Sequence, residues 1–184
     1  MTIAGSVGPF VGRGAELEAL RAELATVRSG VPRILVVQGD AGIGKTALIE
    51  QLLAAESELT VLRATGEPWE AFVAYGVVDQ IMRVAGVSTA RLLVSRERSF
   101  PAEEPVGVGA WILDVLTELE QKGPVAVVVD DAHWADMDSL RSLLFAARRL
   151  VDERVCCCWG SAPRTSSGSR RVYAGWPAVE PAPP

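Results

Sequence analysis

The chain has little of what marks a membrane, secreted, metal-binding or nucleic-acid-binding protein. Its longest uncharged apolar runs, such as Val125 to Val129, fall far short of the roughly 18 residues that cross a bilayer, so no membrane segment is expected. Met1 to Phe10 lacks the charged start and apolar stretch of a secretory signal, which makes the cytoplasm the expected compartment. The three cysteines are consecutive, Cys156, Cys157 and Cys158, and adjacent residues do not offer the spaced ligands of a zinc site. Formal net charge is −5, and no Lys/Arg cluster dense enough to track a phosphate backbone occurs before the last twenty residues, which argues against direct DNA contact by this segment. No internal repeat is visible.

What is present is enough for one sizeable core: 184 residues, of which 49% are hydrophobic. Gly12 to Val27 places Leu17, Leu20, Leu24 and Val27 at helical spacing among Glu16, Glu18, Arg21 and Glu23, an amphipathic helix. Arg33 to Gln38 is a short β-branched run ending at Gly39 and predicts a buried parallel strand, followed by a helix from Lys45 to about Ala55. Leu59 to Ala64 reads as a second strand. Trp69 to Val84 reads as a helix with Phe72, Val73, Val77, Ile81 and Val84 on one face. Gly86 to Pro105 is polar and predicts a surface loop or a partly helical insertion. Val106 to Lys122 predicts a helix with Trp111, Val115, Leu116 and Leu119 inward, and Gly123-Pro124 stops it before the strongest strand, Val125 to Asp130. Asp138 to Val151 is the last clear helix.

Alternation of apolar strands with helices predicts an α/β domain of three layers, α/β/α, around a mostly parallel sheet, a fold that binds ligands at the carboxyl edge of its strands. At one such edge, Gly39-Asp40-Ala41-Gly42-Ile43-Gly44-Lys45-Thr46 satisfies G-x-x-x-x-G-K-[ST] directly between a strand and a helix, the context that a phosphate loop requires. Glycines allow backbone N–H groups to close on phosphate oxygens, and the helix N-terminus adds partial positive charge. Lys45 is then the group that neutralises the β- and γ-phosphates, and the Thr46 hydroxyl is a Mg²⁺ ligand. The expected nucleotide contacts are Gly39, Ala41, Gly42, Ile43, Gly44, Lys45, Thr46 and Ala47. A plain glycine-rich turn has no need of Lys followed by Thr at this spacing.

Val125 to Asp131 sets two carboxylates at a second strand end. Asp130 is placed to bind Mg²⁺ and Asp131 to orient or deprotonate an attacking water; the alternative is a solvated Asp-Asp turn. His133, the only histidine, reads either as a structural group or as a sensor of the γ-phosphate, and Trp134 as a packing group.

These segments resemble the nucleotide-binding domain of the large ATP-binding LuxR-type transcriptional regulators, in the STAND branch of AAA-related P-loop ATPases, an origin-recognition-like AAA ATPase domain. Phe10-Val11-Gly12-Arg13 with Glu16-Leu17 and Leu20 is similar to that family's opening box, Gly39 to Leu48 to its Walker A segment, and Val127 to Asp136 to its Walker B segment. Ser139-Leu140 and Arg148-Arg149-Leu150 continue the likeness, which covers roughly Phe10 to Arg154. The resemblance implies that Val11 and Gly12 lie against adenine and Arg13 near the nucleotide edge, although Val11-Gly12 reads equally as helix-entry packing. It further implies a switch that self-associates in its ATP state, is reset by hydrolysis and acts on DNA through a separate C-terminal module.

The likeness fails after Val155. The family continues there with an apolar strand closed by a polar-Arg pair, whereas this chain has Cys156-Cys157-Cys158-Trp159-Gly160. A run of CTG leucine codons followed by a glycine codon, in a GC-rich gene, reads as Cys-Cys-Cys-Trp one nucleotide out of register. The expected organisation is a flexible 1–9, a P-loop domain over 10–160 truncated after the fourth strand, and a disordered, out-of-frame tail over 161–184. A natural strand of small apolar cysteines is the alternative. Two further readings stand beside a weakly hydrolysing ATP switch: a P-loop kinase of a small substrate, for which Arg91, Arg96 and Arg98 are the lid candidates, and a non-functional remnant with a gap where the fourth strand belongs.

Overall fold

The computed structural model describes residues 13–89, 104–162 and 171–174. In chain order the elements are α1 (Gly14–Arg28), β1 (Arg33–Gln38), α2 (Lys45–Ala54), β2 (Thr60–Thr65), α3 (Gly76–Val84), α4 (Glu104–Glu120), β3 (Val125–Asp130), a 3₁₀ turn (Ala132–Trp134), α5 (Met137–Ala147), β4 (Val155–Ser161) and β5 (Arg171–Ala174). The strands form one sheet in the order β2-β3-β4-β1-β5. The first four are parallel, and β5 runs antiparallel to β1.

Alternation along each strand divides the core into two layers, as the pleat requires. Leu35, Val37, Ala126, Val128, Cys156 and Cys158 face α1 and α2, where the α1 stripe of Leu17, Leu20, Leu24 and Val27 packs on Leu48 and Leu52. Ile34, Leu62, Val127, Val129, Val155 and Cys157 face α3, α4 and α5, meeting Val78, Ile81, Ile112, Leu116 and Leu143. The three-layer α/β/α arrangement follows directly from this two-sided burial.

β4 occupies the centre, paired with β1 from Arg33↔Cys156 to Gln38↔Ser161 and with β3 from Val125↔Val155 to Val129↔Trp159. The gap anticipated for a faulty fourth strand does not occur, because three thiols small enough for either layer fill the positions between two apolar strands. Beyond it the sheet continues: Arg171–Ala174 adds a fifth strand within a stretch for which the sequence predicts no structure. Val172 and Tyr173 are residues of high strand preference, and the antiparallel ladder to β1 satisfies the backbone groups of that edge.

One helix is shorter than its periodicity predicts. Residues 68–75 are turns, and α3 begins only at Gly76. Phe72 and Trp69, the former assigned to the inward face, are 94% and 72% exposed. The cause is Asp136, 61 residues from Tyr75 in sequence: its buried carboxylate accepts N–H groups from Tyr75 (2.9 Å) and Val77 (3.3 Å), which fixes where α3 starts. The same carboxylate accepts the Ser139 N–H at 2.8 Å and caps α5. Tyr75 takes φ 61° just before the helix.

Candidate nucleotide site at the carboxyl edge of the sheet

The loop between β1 and α2 is shaped by two left-handed glycines, Gly42 (φ 72°) and Gly44 (φ 86°), the latter the N-terminal residue before the helix. A side chain at Gly44 is disfavoured by its φ, and it would displace the Arg13 guanidinium, whose Nη1 lies 2.6 Å from where a Cβ would sit. No side chain caps α2. The N–H groups of its first turn, on Lys45, Thr46 and Ala47, have no carbonyl within the helix to accept them and present partial positive charge at the loop. Ala41 and Gly42 are exposed at the loop crest, and Gly39 is buried with its N–H donating to the Ser161 carbonyl (3.1 Å), so the loop is anchored to the end of β4.

Lys45 is 7% exposed, and its ammonium donates to the carbonyls of Gly39 (3.0 Å) and Asp40 (3.2 Å). Those bonds hold the charge inside the loop rather than in solvent. Arg13 adds a second cation: its guanidinium donates to the Gly44 carbonyl at 2.8 Å and to the Ile43 carbonyl. The structure thus puts Arg13 on the phosphate loop itself. Val11 and Gly12 lie outside the described residues.

Asp130 ends β3 and is brought to Thr46 across the sheet edge, the Thr46 hydroxyl donating to Asp130 Oδ1 at 3.4 Å. Burial raises the Asp130 carboxyl above its ordinary value of 3.8; Arg63 and the Thr46 hydrogen bond oppose that rise, and Asp131 and Glu50 add to it. Asp131 takes a left-handed backbone (φ 47°), which Asp tolerates better than most residues, and turns the chain into the 3₁₀ segment. Its side chain is about half exposed, with Oδ1 3.9 Å from His133 Nδ1. His133 Nδ1 accepts the Ala162 N–H at 3.3 Å and links this turn to the end of β4.

Three residues that the sequence reading passes over complete the arrangement. Arg63, in the middle of β2, has Nη1 3.1 Å from Glu50 Oε1 and 3.7 Å from Asp130 Oδ2. Its signal in the sequence is a lone charge inside an otherwise uncharged strand, Thr60-Val61-Leu62-Arg63-Ala64-Thr65. Gly66 lies against the Asp131 turn, where a Cβ would sit 2.5 Å from the Asp131 carbonyl oxygen and 2.7 Å from the Ala135 nitrogen. Gly160 passes beside Asp130, leaving 3.3 Å between a Cβ position and Oδ1.

A parallel sheet with a glycine-shaped loop after one strand, a buried lysine within that loop and an acid on a nearby strand end defines a P-loop nucleotide-binding domain. The AAA ATPase domain model matches residues 9–157, and the chain belongs to that family. In fold it is similar to a Drosophila ORC chain from a structure of ORC bound to DNA, at 17% identity and a TM-score of 0.55, over 84% of this chain and 38% of that one. A C. elegans PCH-2 structure matches at 14% identity and a TM-score of 0.45, over 83% of this chain and 38% of that one. The chain therefore spans well under half the length of these solved relatives. No curated protein matches it.

Proposed function

We propose that this chain is an ATP-binding nucleotide-switch domain that takes its ligand as the Mg²⁺ complex and hydrolyses it slowly. The observation that carries the reading is the buried Lys45 ammonium, held within a loop that opens onto the N-terminus of α2. A cation desolvated to that degree is stabilised further by a polyanion placed above the same N–H groups. The oxygen donors of Thr46 and Asp130, 3.4 Å apart, suit Mg²⁺, which binds through one or two protein oxygens and keeps its remaining positions for water and phosphate. Mg²⁺ held there supplies charge neutralisation across the β- and γ-phosphates.

Around that pair the chain's own groups divide the work. Gly39 to Gly44 and the first-turn N–H groups through Ala47 bind phosphate oxygens, Lys45 balances charge on the transferred group, and Asp131 orients or deprotonates the attacking water. The LuxR-type resemblance assigns Val11 and Gly12 to the adenine, and Arg13, held on the phosphate loop, to the edge of the nucleotide. Slow turnover is inferred because β4 ends at Ser161, followed by Ala162, without the Arg that the LuxR-type resemblance leads one to expect.

The wider reading is a fragment of a LuxR-type STAND transcriptional regulator that self-associates according to its bound nucleotide. The acidic net charge of −5 supports leaving DNA contact to another part of such a protein. A change of frame after Val155 rests on the unusual Cys-Cys-Cys-Trp run, into which the family match reaches as far as Cys157; genomic DNA that encodes no Leu-rich strand in the alternative frame would dismiss it. The nucleotide reading is tested by titrating purified chain with a fluorescent ATP analogue in the presence of Mg²⁺. Saturable binding lost by at least tenfold in Lys45→Ala is the expected result, and a Lys45→Ala variant that binds like the parent rejects the site.

A further inference from the structure

We propose that Arg63 is a positioning residue for the Mg²⁺ site, holding one oxygen of the Asp130 carboxylate so that the other is presented beside the Thr46 hydroxyl. This rests on the nucleotide reading above and concerns a residue outside both the phosphate loop and the acidic strand end.

The two oxygens of Asp130 have different neighbours. Oδ1 accepts the Thr46 hydroxyl at 3.4 Å and borders Gly160, while Oδ2 lies 3.7 Å from Arg63 Nη1. A carboxylate turns readily about its terminal torsion, so a charge beside one oxygen helps to hold the other toward a metal. Arg63 is itself held, because Glu50 accepts from the same Nη1 at 3.1 Å.

Glu50 stands four residues after Thr46 on α2, hence on the same helix face. In the β2–β3 register Arg63 opposes Val128, two residues before Asp130, and both lie on the α2 side of the sheet. One guanidinium therefore ties α2, which carries the hydroxyl donor, to β3, which carries the carboxylate donor. Asp130 is 9% exposed in its side chain and Arg63 35%, so the contact is shielded more than a surface ion pair. Outer partners that orient a ligating carboxylate are worth about 10–100-fold in metal affinity.

The experiment is isothermal titration of the full chain with ATP, once in excess Mg²⁺ and once in EDTA, for the parent, Arg63→Gln, Arg63→Lys, Asp130→Asn and the Arg63→Gln/Asp130→Asn double variant. The ratio of the two affinities is the gain from Mg²⁺. We expect Arg63→Gln to cut that gain about tenfold, Arg63→Lys to keep most of it, and the double variant to behave like Asp130→Asn alone. A structural role would instead weaken binding equally in Mg²⁺ and EDTA, or add to Asp130→Asn, and either result overturns the proposal. So does an Arg63→Gln gain equal to or larger than the parent's. Should Arg63→Gln not fold, Glu50→Gln releases the guanidinium from α2 without removing it; an unchanged gain there overturns the proposal and a reduced one supports it. A parent chain that binds no ATP in either buffer rejects the nucleotide reading itself, whereas a parent that binds and gains from Mg²⁺ leaves Arg63 to be judged alone.

Discussion

Asp130 and Asp136 are both buried acids within seven residues of chain, yet they do opposite things to stability. Asp136 has three backbone N–H partners and belongs to the fold. Asp136→Ala leaves those donors unpaired, at about 1–3 kcal/mol for an unsatisfied buried group, and we expect a loss of about 3 kcal/mol or more in urea unfolding. Asp130 has its carboxyl raised by burial, so the folded state holds a proton there more tightly than the unfolded chain. Between the ordinary value of 3.8 and the raised one, the native state binds more protons, and stability falls as pH rises through that window. Ionised Asp130 is thus a strain on the ligand-free fold at neutral pH. Asp130→Asn should raise the ligand-free melting temperature at pH 7, with the difference shrinking as pH falls toward 3.8, while removing the gain from Mg²⁺. A melting temperature that falls at pH 7 contradicts the assignment.

Elements with local causes were legible in the sequence. The α1 stripe, the strand Arg33–Gln38 and the strand Val125–Asp130 appear where hydrophobic periodicity places them, because each follows from a pattern contained within its own residues. The phosphate loop was legible for the same reason. Residues 68–75 were not: their apolar spacing favours helix, and a carboxylate on a distant turn overrides it by starting α3 at Gly76. Arg63 and Gly66 were equally hidden, since their roles exist only once β2 lies beside β3 in register. Gly66 supplies a test of that pairing. Gly66→Ala drives a methyl into the Asp131 turn, and about 1–3 kcal/mol of destabilisation is expected from overpacking, measured by thermal unfolding. The displaced turn should also weaken ATP binding in Mg²⁺, and a variant as stable and as tight as the parent refutes the close approach.

Over the whole molecule, the strand that looked least like its family holds the sheet together. β4 carries Cys156, Cys157 and Cys158 into both core layers, where burial pushes the Cys157 thiol up to about 12 and a bond with Cys158, followed by burial, raises Cys156 well above its usual range. Cys156 and Cys157 stay protonated at neutral pH and all three thiols are buried, so they react with a maleimide only when the sheet opens. Labelling of the native chain at pH 7 should be slow and should accelerate abruptly at the unfolding transition. Saturating ATP with Mg²⁺ should slow it further in the parent and leave it unchanged in Lys45→Ala, read by mass spectrometry. The reason lies in the placement of β4. The phosphate loop follows β1 and the acid ends β3, and these two strands meet only through the strand between them. A ligand gripped by both therefore acts as a rivet across a three-strand seam, and its grip reports whether that seam is closed.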